Sequence, residues 1–273
     1  METSSLGSAT FFTISLFIYL ASTVLYILYA AFKKEQIGKV ATVLLAVGIA
    51  SQTIALILKT IEVKHAPFVT TYESLSFWSW MIALVYLIFQ FRLRIKVLGA
   101  LVTPIAFLAI AAASVLPDQY KESSPLVPAL QSHWLEFHIT TAFIGYACFA
   151  ISFAVSLAYI LKRTDDPKAS LTKDKLDTIG YKAISIGFPF LTIGIMSGAI
   201  WANMAWGRYW GWDPKEVWSL ITWFIYAVYL HLRIVAKWKG KQSAITSIIG
   251  FVAVIFTFFG VSFLLSGLHS YMG

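Results

Sequence analysis

Two kinds of residue in this sequence have chemistry to offer: five histidines, His65, His133, His138, His231 and His269, and positions 206–218, WGRYWGWDPKEVW, where four tryptophans crowd together. A neutral imidazole is a metal ligand or a proton carrier. An indole offers a wide apolar face and one N–H donor. Trp206, Trp210 and Trp212 in one short stretch, with Trp218 just beyond, suit a broad flat ligand better than simple anchoring, which spreads tryptophans along a membrane interface. Gly207 and Gly211 give the backbone room to turn and approach, and Arg208 or Lys215 can meet an acidic group at the ligand's edge. The end of the stretch also reads as a helix start, with Asp213 as N-cap, Pro214 at the first helical position and Glu216 reaching back. On that reading Asp213 is first of all structural.

The elements that must position these residues are set by composition. Of 273 residues 59% are hydrophobic and 12% charged, and the mean hydropathy of +0.76 is far above that of a soluble domain. Apolar runs of about 20 residues, enough to cross the hydrocarbon core as helix, fall near 10–32, 39–60, 72–91, 97–116, 138–161, 183–204, 216–236 and 244–267. The alternation of a membrane barrel is absent, so the spans are helices, which satisfy their own backbone in lipid. The expected fold is all-α: a polytopic integral membrane bundle of about eight transmembrane helices, one domain over 1–273, with an external loop and helix start at 206–223.

Charge orients the bundle. Most Lys and Arg residues lie in 33–39, 92–96, 162–182 and 233–241, whereas the complementary segments carry only Lys59, Lys64, Lys121, Arg208 and Lys215. Basic loops stay inside, so both termini and the tryptophan loop are expected outside. The net charge of +8 is then a topological bias that calls for no nucleic-acid partner. The first residues, METSSLGSAT, lack a basic n-region, so the first span reads as a retained anchor. The single cysteine, Cys148, lies within a span and excludes a CxxC pair or a CxxCH site on this chain. Thr70 with Glu73 forms a capping pattern ahead of the third span. The loop 162–182 reads as a solvated connection.

On this topology His138 opens the fifth span and His269 ends the eighth, both at the level of the tryptophan loop. Two imidazoles at one depth on different helices can approach a metal from opposite faces, as the axial ligands of a haem do. A porphyrin is a wide apolar plane with acidic propionates at one edge, so indoles suit its face and Arg208 or Lys215 its edge. The simpler reading is a pair of interfacial histidines bonded to water or headgroups. His133 competes with His138. In continuous helix the two point ~140° apart, and the stripe of Leu130, Trp134 and Phe137, read as a short helix on the membrane face, carries His133 with it. This favours His138. His231 lies thirteen residues beyond Trp218, ~20 Å lower at ~1.5 Å per residue, and no other histidine shares its depth. It is structural, or its counterpart comes from another chain. His65 reads as structural or peripheral.

Four stretches, HAPFVTTYESLSFWSW, LVPALQSHWLEFHITTAFIGYACF, GAIWANMAWGRYWGWDPKEVWSLITWFIYAVYLHLR and GLHSY, run in order from residue 65 to 271. Through them the sequence resembles the WWD family of haem-handling membrane proteins, in its CcsA (ResC) type from system II cytochrome c biogenesis. The resemblance implies a membrane partner of the CcsB (ResB) type. It implies that the pair carries haem across an inner (cytoplasmic) or thylakoid membrane and attaches it to the CxxCH motif of apocytochrome c, haem b being held transiently as substrate and cofactor. It implies His138 and His269 as an external axial pair around the tryptophan loop, and His231 as a transmembrane haem ligand whose mate belongs to the partner. The rival readings are a CcmC-like haem exporter that loads a chaperone, a haem-free transporter, and a b-type electron-transfer subunit. The last needs a histidine pair buried at one depth within two spans, which this sequence lacks.

Overall fold

Eight helices long and apolar enough to cross a membrane run through the described part of the chain. The computed structural model describes residues 2–121, 126–163, 165, 166, 169 and 171–265, with side chains from residue 7 onward. The chain divides into two compact units, Met1–Pro125 and Leu126–Gly273.

The first unit holds α1 (Glu2–Phe32), α2 (Glu35–Val63), α3 (Thr71–Leu93) and α4 (Gly99–Ser114). α1 and α2 form an antiparallel pair whose buried hydroxyls cross the interface: Ser22 Oγ donates to Ala41 O at 2.9 Å and Ser51 Oγ to Phe11 O at 3.0 Å. An amide buried in an apolar bundle is costly unless it is satisfied. Gln90 meets this by accepting from Tyr26 OH at 2.7 Å and Tyr86 OH at 2.5 Å while donating to Thr42 Oγ1 at 2.9 Å. Three helices are thereby pinned in one register. α3 opens with the capping box that its Thr70–Glu73 spacing predicts.

The second unit holds α5 (His133–Leu161), α6 (Lys173–Trp206), α7 (Pro214–Ile234) and α8 (Lys241–Ile255), the last continuing through a π-helical turn, Phe256–Gly260, and a final turn, Val261–Leu264. α5 and α6 are an antiparallel hairpin packed backbone to backbone. A Cβ on Gly187 would lie 3.0 Å from Gly145 O, and one on Gly194 would lie 3.1 Å from Ala142 N. Small residues at such a seam let helices approach where lipid supplies no hydrophobic drive. α7 joins the hairpin through Tyr226, stacked on Phe149 with centroids 3.7 Å apart, and through Trp223 Nε1, which donates to Thr192 Oγ1 at 2.9 Å.

Several boundaries depart from the sequence expectation, α1 already beginning at Glu2, and three of those in the second unit bear on the site. α6 begins at Lys173 instead of 183 because Thr172 caps it, its Oγ1 accepting from Lys175 N at 3.2 Å. α5 begins at His133, capped by Ser132, so the expected surface helix through Leu130, Trp134 and Phe137 is split. Pro128–Leu130 forms a separate 3-10 turn, and the two aromatics belong to α5 itself. The last span breaks into the π turn, and its expected final residues, 266–267, lie outside the described residues.

The early start of α6 has a physical reward, since it places Asp177 against Arg233. The guanidinium donates to both carboxylate oxygens at 2.9 and 2.5 Å, with side chains only 8% and 5% exposed. Arg233 also donates to Trp238 O at 2.8 Å, and Asp177 accepts from Gly240 N at 2.8 Å, so the pair closes the turn between α7 and α8. Removing one member of a buried pair strands the other, at about 3–5 kcal/mol. Asp177→Ala is therefore expected to lower the unfolding free energy in detergent by about that amount, and removing both charges together should recover most of the loss.

Candidate functional site

The site is built on α5, α6 and the loop that joins α6 to α7. His138 lies in the second turn of α5, half-buried, with its ring turned onto α6. Its Nδ1 is 2.6 Å from Gly194 O. A carbonyl oxygen only accepts, so Nδ1 carries a proton, and in the neutral ring Nε2 then keeps the lone pair, the form in which a histidine ligates a metal. The ring fits because residue 198 is glycine: a Cβ there would come within 2.6 Å of Nδ1. The indole of Trp201 stacks beyond it, 6.3 Å between centroids and 12° between planes. Trp201 is itself fixed, its Nε1 donating to Ala129 O at 2.8 Å, and it meets Trp206 edge to face at 4.8 Å.

His133 is placed differently. Its side chain is 99% exposed and 3.2 Å from Glu136 Oε2 on its own helix. It stands in the first turn of α5, which Ser132 caps, near the exposed Trp134 and Phe137.

Trp206 ends α6, and Gly207 closes the helix in the left-handed conformation, φ +72°, with its N–H on Asn203 O. Beyond it Tyr209 and Trp212 are strongly exposed, Trp212 at 71%. Trp210 and Trp212 stand perpendicular, 5.9 Å apart. The indoles thus make two edge-to-face pairs, Trp201–Trp206 and Trp210–Trp212, in place of one flat stack. Arg208, also exposed, folds its guanidinium over Gly211, where a Cβ would lie 2.7 Å from Nε.

Trp212 adopts φ +57°, a left-handed conformation that disfavours a bulky side chain. It is held there by Glu216, whose Oε2 accepts from the amides on either side, Gly211 N at 2.8 Å and Asp213 N at 3.1 Å. Asp213, 5% exposed, completes a reciprocal capping box and accepts from Lys215 N at 2.9 Å. This is the structural role its sequence context predicts. Strain at an exposed aromatic, maintained by a buried cap, points to use of that indole outside the fold.

The remaining candidates lie apart from this cluster. Trp218 packs on Phe256 of the π turn, centroids 4.2 Å apart. Lys215 turns the same way, Nζ 3.4 Å from Ser262 Oγ. His231 is exposed on α7, on the face that presents Phe224, Val228 and Val235. His65 belongs to the first unit, its Nδ1 2.9 Å from Ala66 O. His269 lies outside the described residues. Among the described residues no three His, Cys, Asp or Glu side chains gather to hold a metal ion.

Residues 68–269 match the family model described as cytochrome C assembly protein. The chain belongs to the cytochrome c assembly protein family. It is 44% identical over 215 residues to the cytochrome c biogenesis protein CcsA of Chlamydomonas reinhardtii, covering 76% of this chain and 61% of that one. With CcsA of Guillardia theta the identity is 36% over 280 residues, 92% of each chain. In fold it resembles the cytochrome c heme lyase CcmF, with a TM-score of 0.71 at 18% identity, covering 97% of this chain and 47% of that one. For this member of the cytochrome c assembly family, that likeness shows a shared fold with part of a protein about twice its length and carries no site residue across.

Sequence reasoning gave Gly194, Gly198 and Trp201 no role. A signal for them exists: Gly187, Gly194, Gly198 and Trp201 recur at one helix face, and that face meets His138. Two outcomes test the local geometry. Gly198→Ala should displace the His138 ring and broaden or shift its imidazole resonances, whereas the same change at Gly7, where a Cβ would meet only Leu58 Cδ1 at 3.5 Å, should leave them in place. Asp213→Ala should lower stability by about 1 kcal/mol, and Asp213→Asn, which still caps, by far less.

Proposed function

We propose that the protein is the haem-handling membrane subunit of a cytochrome c synthase. With a CcsB (ResB)-type partner it carries haem to the external face and presents it for thioether attachment to the CxxCH motif of apocytochrome c. The observation that carries this reading is the His138 imidazole, with Nδ1 bound to Gly194 O, near a tryptophan loop whose Trp212 is exposed and held in a strained backbone conformation. The family and the printed names of its relatives, cytochrome c biogenesis protein CcsA, support it.

The donor set fits the cargo. A bare cation needs several protein ligands, and no such group exists among the described residues. Haem brings four nitrogens of its own and asks the protein only for axial ligands. His138 supplies one and His269 the other. Trp210 and Trp212 offer apolar surface to the macrocycle, with Trp206 behind them, and Arg208 a charged partner for a propionate. Asp213 and Glu216 act through the backbone, holding the loop in its strained form. Trp218 supports the loop from below through Phe256.

His231 is the second station. An imidazole on a lipid-facing surface is costly unless something covers it. Its apolar neighbours Phe224, Val228 and Val235 are equally exposed, which suits a partner helix that brings the second ligand. The basic loops place this end inside and the tryptophan loop outside. The chain's only cysteine, Cys148, is buried in α5, so the thiols that add to the haem vinyl groups come from the apocytochrome. The protein's contribution to that step is position, holding the vinyl groups at the external face for the incoming thiols.

The test is co-purification with the partner followed by haem spectra of single variants. His138→Ala and His269→Ala are expected to lose most of the external haem, His231→Ala to reduce haem arrival, and His133→Ala to change nothing. Full occupancy with normal spectra in both external variants would end the ligand assignment.

A further inference from the structure

Trp201 stands outside the tryptophan-rich loop, yet it touches three parts of the site at once. Its ring lies nearly parallel to the His138 imidazole, at 12° and 6.3 Å. Its edge meets Trp206, the residue from which the loop departs, at 4.8 Å. Its Nε1 donates to Ala129 O at 2.8 Å, tying the turn Pro128–Leu130 that leads into α5. At 2% exposure it is the most enclosed tryptophan of the second unit, so its orientation is dictated by packing and does not adapt to a ligand.

We propose that Trp201 is a positioning residue that fixes the plane of the His138 ring and couples it to the tryptophan loop. The hydrogen bond from Nδ1 to Gly194 O sets where the imidazole sits and which nitrogen carries a proton, but a single bond leaves the ring a rotation about the line through its donor. The glycine at 198 opens one side of the slot, and the near-parallel indole of Trp201 stands on the other, its centroid 6.3 Å from that of the imidazole, where it limits how far the ring can turn. The rotation of an axial imidazole about its bond to iron governs the splitting of the iron d orbitals, so a change in the ring plane reads out spectroscopically even when the ligand stays bound. Because the same indole meets Trp206, a movement of the loop on loading or release reaches the ligand through one rigid side chain.

This rests on the reading of His138 as an axial ligand, and the experiment separates the two. The complex with its partner is purified in wild-type form and with Trp201→Phe, Trp201→Leu, His138→Ala and, as a control, Trp223→Phe, which loses a half-buried N–H donor to Thr192 elsewhere in the same unit. Haem content, the low-spin g-values of the oxidised complex and thermal unfolding are measured for each. Trp201→Phe is expected to keep haem content and melting temperature near wild type while its g-values shift. Trp201→Leu should lower haem content several-fold, and Trp223→Phe should leave the g-values unchanged. Wild-type g-values in both Trp201 variants, or an equal shift in the Trp223 control, overturn the proposal. If His138→Ala retains the wild-type spectrum, the ligand reading itself has failed.

Discussion

The contact on which the account depends is the hydrogen bond from His138 Nδ1 to Gly194 O, 2.6 Å long and spanning the α5–α6 seam. It does three things at once. It decides the tautomer, it fixes the ring at one end of the hairpin, and it satisfies a donor in a place where an unpaired one is expensive. Gly194 O also accepts from Ser197 Oγ at 3.0 Å, so the His138 ring shares an oxygen that its own helix already uses. Only an unusually close approach of the two helices makes that reach available.

The approach is made by absent side chains. Gly145, Gly187, Gly194 and Gly198 lie along the seam, and a Cβ at any of the four would press on the facing helix. The same seam that lets α5 and α6 pack thus creates the slot for the imidazole, and stability and ligand position become one property of the hairpin. At the opposite end of the unit Asp177 and Arg233 perform a related task, setting the phase of α7 and with it the face on which His231 stands. The tryptophan loop is fastened separately, through Glu216 and Asp213, by a cap that holds Trp212 in a conformation it would not otherwise adopt.

Much of this was legible in the sequence where a single physical rule dominates. Spans of the right length and apolarity declare themselves, and both capping boxes follow from residue types at fixed offsets. Helix starts were misjudged wherever polar residues continue a helix past the apolar run. Hydropathy cannot see that Lys173 to Lys182 is helical, because what stabilises it is a cap at Thr172 and an ion pair to a residue 56 positions away. The indoles were read as one shelf because spacing counts residues and not ring angles. The Trp201–Trp206 pair is set within α6, and in the loop Trp212 takes a left-handed backbone that its residue type does not advertise. Trp201 went unnoticed for the opposite reason, since a lone tryptophan in an apolar span looks like ordinary core.

The most direct measurement is a density map of the complex with haem bound, clear enough to orient imidazole rings. The account requires iron on Nε2 of His138, with Nδ1 still against Gly194 O. Iron on His133, or a His138 ring swung away from α6, contradicts it.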